Sequence, residues 1–338
     1  MQHVTDAKRL DGAAARRFPP DRATVWRHRL VIAAKLAVSI GLLVWVLLEK
    51  IDIAEAGRRI VAIPLLPLGL AFAGLAVSYA VVIIRWQVIL AALGMRLGFA
   101  RAGTITWIGS FFNQALPSNV GGDFVRVWRV LRHGMPLGRA VSSVMLDRVL
   151  TLVGLAVLVL ACLPFSRPLI GAGPAWYALP ATAGCIMAGL GALLALDRIV
   201  VPLRRLLPTR VVAAAATLAH DARAVVFDRR GPAAIALSVG NFIVCSAIVY
   251  ALARGLGIEI GFGPMLMLFP PVMMVSLLPI SFAGWGVREV ATATALGFVG
   301  VPDNQAVALS LAFGLLLLAS TLPGGVLWLF TGNRRDAV

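Results

Sequence analysis

The 338-residue sequence predicts an all-α polytopic membrane protein, with about six membrane-crossing helices and two re-entrant hairpins arranged as inverted repeats. Three observations lead there: a composition too apolar for water, six runs long enough to cross a bilayer, and a residue pattern that returns in the second half. Composition is 60% hydrophobic against 14% charged, with a mean hydropathy of +0.90, more than a soluble surface carries. That excludes a secreted or cytosolic enzyme and a disordered scaffold. A formal net charge of +16 would suit nucleic acid in a soluble protein, but here it reads as a membrane orientation signal, and no nucleic-acid partner is expected. Cys162, Cys185 and Cys245 all fall inside apolar runs, as small core residues and not as a disulfide framework or a zinc site.

Residues 1–29 form a basic tail in which Arg16, Arg17, Arg22, Arg27 and Arg29 mix with Asp6, Asp11 and Asp21. No small-residue cleavage site follows the first apolar run, so the expectation is an uncleaved start-transfer helix. Crossings are predicted from Leu30 to Leu48, Leu65 to Ile84, Val141 to Leu163, Trp176 to Leu196, Ala233 to Ala253 and Ala306 to Phe330. Two shorter stretches, Ala102 to Pro117 and Pro264 to Pro279, end at Pro and Gly and read as re-entrant hairpins. The segment 197–231 carries an amphipathic stretch from Thr209 to Phe227, read as a helix on the membrane surface. Residues 331–338 form a short tail. With both termini cytoplasmic, 23 of the 31 Lys and Arg fall on the inner side and six on the outer. The positive-inside rule therefore selects this orientation.

The duplication emerges from ordered matches. Leu93-Gly94 through Gly98-Phe99 corresponds to Leu256-Gly257 through Gly261-Phe262. Leu116-Pro117, Gly122, Val125 and Arg126 recur at the same offsets as Leu278-Pro279, Gly284, Val287 and Arg288. Gly134-Met135-Pro136 before Ala140-Val141 recurs as Gly300-Val301-Pro302 before Ala306-Val307. The repeat units span about residues 65–163 and 233–330, and three crossings between the copies turn the second one over. Inverted repeats with broken helices are a recurring plan of secondary transporters.

The candidate chemistry lies at the breaks. Gly121 and Gly122 open a helix whose exposed N–H groups attract anions, and Arg126, Arg129 and Arg132 recur every third residue along it. Arg129 and Arg132 are accounted for equally well by the positive-inside rule. Arg126 has a repeat partner in Arg288, where Gly284 and Gly286 free the backbone again. Arg126, Arg288, these four glycines and the intramembrane Asn113 are therefore the expected head-group ligands. Asp147-Arg148 lies inside an apolar run, where ionised groups are costly unless paired or facing a cavity; it reads either as pathway lining or as a structural ion pair. Glu289 reads either as a proton carrier or as a helix-start carboxylate, and it need not bond its neighbour Arg288. Gln114 and Asn241 read as interhelical glue, and Arg85-Trp86 as an anchor ending a span. Only three lysines are present, none in an ATP-binding loop, and no metal or nucleophile spacing is visible. No cofactor and no enzymatic activity are expected.

Arg85-Trp86, Asn113, Leu116-Pro117, Gly121-Gly122 to Arg126, Asp147-Arg148, and Pro279 through Gly284, Gly286, Arg288 and Glu289 together resemble the lysylphosphatidylglycerol synthase transmembrane, or flippase-like, family. The resemblance runs from about Leu30 to Phe330. It implies a flippase or translocase moving an anionic phospholipid or a polyprenyl-linked lipid between leaflets of a bacterial-type inner membrane. The bifunctional members carry an aminoacyl-transferase after the membrane domain, whereas this sequence ends eight residues beyond Phe330. A stand-alone member is thus implied, for which aminoacylated phosphatidylglycerol is an unsuited cargo. The alternative is a non-transporting accessory subunit of an envelope-lipid synthase or glycosyltransferase. Expected partners are lipids with anionic head groups and, in that alternative, a lipid-modifying enzyme.

Overall fold

The structure is a computed structural model that describes residues 53–115, 121–171, 173–202, 208–277 and 284–331. The predicted first span Leu30–Leu48, both tails and Lys35 lie outside the described residues, as do Pro117 and Pro279. The described residues form twelve helices and no strand, the only way besides a closed barrel to satisfy backbone polar groups in lipid. They are α1 (Ile53–Val61), α2 (Leu65–Ala92), α3 (Phe99–Ala115), α4 (Gly121–Arg132), α5 (Leu137–Ile170) and α6 (Pro174–Leu194). There follow α7 (Leu196–Val200), α8 (Thr209–Val226), α9 (Gly231–Gly255), α10 (Phe262–Ser276), α11 (Val287–Gly297) and α12 (Asp303–Thr331). Helices α2, α5, α6, α9 and α12 are long and apolar enough to cross a membrane. The chain is a polytopic all-α membrane protein.

Five of the six predicted crossings lie in described residues, and all five are helices. One boundary needs correction: α2 does not stop at Ile84 but runs to Ala92, and Arg85 and Trp86 are 3% and 0% exposed rather than interfacial. The 34 residues of α5 make a rod of about 50 Å, longer than a hydrocarbon core of about 30 Å. Its first turns carry the amphipathic α8, which packs on them. The amphipathic stretch from Thr209 to Phe227 is thus helical over nearly its whole length, as α8. Asp197 accepts two hydrogen bonds from Arg223, at 2.6 and 2.9 Å, which tie α8 to α7, and Arg223 also donates to the Leu194 carbonyl at the end of α6 (2.7 Å). The Arg223 hydrogen bonds hold the Asp197 carboxyl down at about 2.

The two stretches read as hairpins need correction: Ala102–Ala115 and Pro264–Ser276 each lie in a single helix, α3 and α10, and a hairpin arises only where each packs on the next short helix, α3 with α4 and α10 with α11. The turns around them repeat in atomic detail. After α2, Met95 N–H donates to Leu90 (2.9 Å) and Gly94 N–H to Ala91 (3.1 Å); after α9, Ile258 donates to Ala253 (2.9 Å) and Gly257 to Arg254 (3.2 Å). Gly94 and Gly257 have φ of 85° and 74°, the left-handed cap that closes a Schellman turn. The ends of α4 and α11 match in the same way, with Met135 bonding Val130 and Val301 bonding Leu296. Packing matches as well, since α3 lies on α12 as α10 lies on α5.

The equivalent helices α2 and α9 run antiparallel. A Cβ on Gly255 would come within 2.8 Å of Ile63, and one on Gly74 within 2.6 Å of Ile248. Further along, Ser78 donates to Asn241 (2.7 Å) and Arg85 to Ser238 (3.3 Å). Rising numbers on α2 meet falling numbers on α9, the relation expected of copies with opposite sense. This seam threads two apolar cores. Ile63, just before α2, and Ala71 and Leu75 of α2 join the end of α9 with α10 and α12. Ile83, Trp86, Ile89 and Leu90 join the start of α9 with α3, α4, α5 and α8.

Candidate functional site: a polar cavity between the two hairpins

Gly122 lets α4 lie directly on α3. A Cβ there would fall 1.9 Å from the Gly109 carbonyl oxygen, so no other residue fits without separating the helices. Asn113 completes the junction by accepting a hydrogen bond from Gly122 N–H (2.9 Å). Its oxygen serves the helix start, and its side chain also lines the cavity. Gly121, beside it, opens α4.

From this helix Arg126 points inward to Asp147, Nη1 to Oδ2 at 2.9 Å. The other carboxylate oxygen accepts from Arg85 Nε at 2.9 Å. All three residues are at most 6% exposed, and the Arg126 guanidinium lies 4.3 Å from the Trp86 ring centroid. Two arginines thus share one carboxylate, and Arg126 Nε and Nη2 are buried with no partner among the described residues. The three arginines read as one face fan out. Arg129 donates to Thr331 (2.8 Å) beside Trp128 and Trp328, and Arg132 lies over Trp128 at 4.2 Å.

The adjacent Asp147 and Arg148 do not pair with each other. Neighbours on a helix diverge by about 100°, so Asp147 faces Arg85 and Arg126 while Arg148 reaches Asp123 on α4 through two hydrogen bonds of 3.1 and 3.2 Å. The partner expected for Asp147 is therefore replaced by two arginines from other helices.

In the second hairpin the same design takes a different form. Gly286, at φ 83°, donates its N–H to Glu289 Oε2 (2.6 Å) and starts α11. Glu289 Oε1 accepts from Ser310 (2.9 Å) and from Arg288 Nη2 (3.0 Å), while Arg288 Nε donates to Ser310 (3.2 Å). Arg288 and Glu289 do bond each other, which the sequence left open. Glu289 is fully buried, and both its oxygens are engaged, so the geometry gives it the part of a fixed acceptor and lends no support to proton carrying. By the repeat register, Phe313-Gly314 occupies the place of Asp147-Arg148. The Phe313 ring centroid lies 5.7 Å from the Arg288 guanidinium, and the missing side chain at Gly314 leaves the room that Arg288 Nη2 fills.

Between the hairpins lies a cavity of about 530 Å³, within the range of small-ligand sites. Its charged walls are Arg148, Asp123 and Arg288; its neutral polar walls are Tyr79, Ser110, Asn113, Gln114, Thr151, Ser276 and Thr321. Of the residues expected from sequence, the cavity brings together Asn113, Gly284, Arg288 and Arg148. Arg126, Gly121, Gly122, Asp147, Gly286 and Glu289 are not in its lining and stand behind it as supports.

Sequence reasoning missed Ser310 and the wall hydroxyls, and took Arg85 for an interfacial anchor. The signal for Arg85 was present: Val88, Ile89 and Leu90 continue the apolar run past it, which makes it intramembrane and a natural partner for an intramembrane carboxylate. Asn241 does serve as interhelical glue, through Ser78.

Comparison with known proteins gives one finding for this arrangement. A search of curated proteins returns no match. The family model described as Lysylphosphatidylglycerol synthase TM region matches residues 32–324, which takes in both hairpins, every wall of the cavity and the buried triad behind it. The chain belongs to the lysylphosphatidylglycerol synthase TM region family.

Proposed function

We propose that this protein is a lipid translocase that holds an anionic head group in the central cavity while the acyl chains stay in the bilayer. The observation that carries the reading is the cavity itself: guanidinium, amide and hydroxyl groups gathered where two hairpins meet inside an apolar helix bundle. Polar groups at such depth are costly and mark pathways. An adjoining cavity supports a lipid over a soluble solute. It measures about 400 Å³ and is walled by α6, α10 and α11, with Val272, Val275 and Val287 among its lining. Their sequence neighbours Met273, Ser276 and Arg288 line the polar cavity. One hairpin thus presents a polar face to a head group and an apolar face to a chain.

In this reading Arg288 and Arg148 touch the head group, and Asp147 and Glu289 position arginines. The protein sits in a bacterial-type inner membrane with both termini cytoplasmic, as the charge distribution favours.

The test is reconstitution into liposomes with a fluorescent anionic phospholipid, followed by a membrane-impermeant quencher. Wild-type protein should expose the inner-leaflet pool, and the double variant Arg288→Gln with Glu289→Gln, which leaves no buried charge alone, should slow that exposure in protein checked for folding. Folded wild-type protein that leaves the inner pool protected would defeat the proposal and favour the accessory-subunit reading.

A further inference from the structure

We infer that a small monovalent anion such as chloride binds behind the cavity, at the buried arginines of the first hairpin. Four donor atoms there have no acceptor among the described residues: Arg126 Nε and Nη2, Trp86 Nε1 and Thr106 Oγ1. They come from three helices and converge. The Arg126 guanidinium lies 4.3 Å from the Trp86 ring centroid. On α3, Gly103 meets Ile83, one turn before Trp86, and Gly109 meets the Arg126 side chain; Thr106 lies between the two glycines on that face. Trp86, Thr106 and Arg126 are 0%, 4% and 6% exposed, so bulk water does not serve them.

Charge favours an anion over a water molecule as their acceptor. Asp147 is the one carboxylate bonded to Arg85 and Arg126 among the described residues, which leaves one positive charge in excess, and a water molecule would leave it there. The other buried or cavity-side carboxylates are committed elsewhere: Asp123 to Arg148 and Glu289 to Arg288, while Asp221 on α8 lies beside His220. Buried charge is costly until it is paired. The second half of the chain is balanced, Arg288 against Glu289, because the repeat register places Ile248 at the counterpart of Arg85. The excess therefore belongs to the first half alone. Size follows from position. None of Arg126, Trp86 and Thr106 lines the central cavity, so the site takes an ion of one or a few atoms and excludes a head group with ester substituents.

The test uses full-length protein in detergent without added lipid, with chloride exchanged for gluconate at constant ionic strength while the thermal midpoint is followed. The wild-type midpoint should rise saturably with chloride and with bromide, half-saturating in roughly the millimolar range, and gluconate should give no rise. Trp86→Phe and Thr106→Val, which keep shape and charge, should each raise the half-saturating concentration about tenfold, the scale of one hydrogen bond to a charged acceptor. Arg126→Gln should remove the response. A wild-type midpoint indifferent to chloride shows that water alone serves the donors and overturns the site. A response unchanged in Trp86→Phe and Thr106→Val, or surviving in folded Arg126→Gln, puts the anion elsewhere and overturns it too. Adding phosphatidylglycerol should leave the chloride response in place; its loss would make a lipid phosphate the anion and overturn the assignment. None of these outcomes requires lipid movement, so the anion site and the translocase reading stand or fall separately.

Discussion

Replacing Asp147 by asparagine should destabilise the protein more than replacing its partner Arg126 by glutamine, although each change removes one member of the same ion pair. The difference comes from counting charges. Arg85, Arg126 and Asp147 together carry one excess positive charge, and their burial leaves it little solvent. Asp147→Asn leaves two guanidiniums with no counter-charge; breaking a buried pair in this way costs about 3 to 5 kcal/mol. Arg126→Gln leaves Arg85 and Asp147 as a balanced pair. It loses one charged hydrogen bond, about 1.5 to 3 kcal/mol, and removes the unpartnered Nε and Nη2, whose burial costs a comparable amount. The net effect of Arg126→Gln should then be about 0 to 2 kcal/mol. Thermal unfolding of detergent-solubilised protein, followed by size-exclusion fluorescence, orders the variants. Wild type should melt highest, Arg126→Gln close below it and Asp147→Asn well below both, with the double variant above Asp147→Asn alone. If Arg126→Gln melts as low as Asp147→Asn, excess charge is not what Asp147 offsets and the reasoning fails.

Gly122→Ala should separate α4 from α3, because its Cβ would lie 1.9 Å from a backbone oxygen; overpacking of this kind costs about 1 to 3 kcal/mol or more, whereas Gly191→Ala, with nothing within 4 Å, should melt like wild type. For topology, after replacement of the three native cysteines, His133→Cys and Phe298→Cys at the ends of α4 and α11 should be labelled by an impermeant thiol reagent from opposite faces, and labelling from one face would contradict the inverted arrangement. For pH, the Asp197 carboxyl is held at about 2 by Arg223, below its ordinary value of about 3.9. The contribution of that bridge is therefore full above that ordinary value and is lost as pH falls toward 2. Limited proteolysis around α8 should quicken over that interval in wild type, while Arg223→Gln should be cut quickly at every pH.

The sequence disclosed the helices because membrane crossing is a property of local runs, and each of the five described crossings is legible in its own residues. The hairpin register was legible too, since turn glycines such as Gly94 and Gly257 are fixed by backbone conformation and stand out in any alignment of the halves. What could not be read was which charge meets which. Asp147 lies next to Arg148 in sequence but bonds residues 62 and 21 positions away, a consequence of helix rotation and tertiary packing. Arg85 was misplaced for a related reason: ending an apolar run at its first charge assumes that charges face water, and α2 continues because a carboxylate waits inside. The wall hydroxyls were invisible because Ser and Thr are common in such helices and only packing shows which of them border a space.

The antiparallel seam of α2 and α9 also bears on how such a chain could arise. Each core takes the first half of one seam helix and the last half of the other, so a polypeptide with a single repeat would hold two half-cores, each lacking a wall. Only a second copy inserted upside down could close both. With both copies in one chain the halves need not be identical, and Asp147-Arg148 in one half stands where Phe313-Gly314 stands in the other.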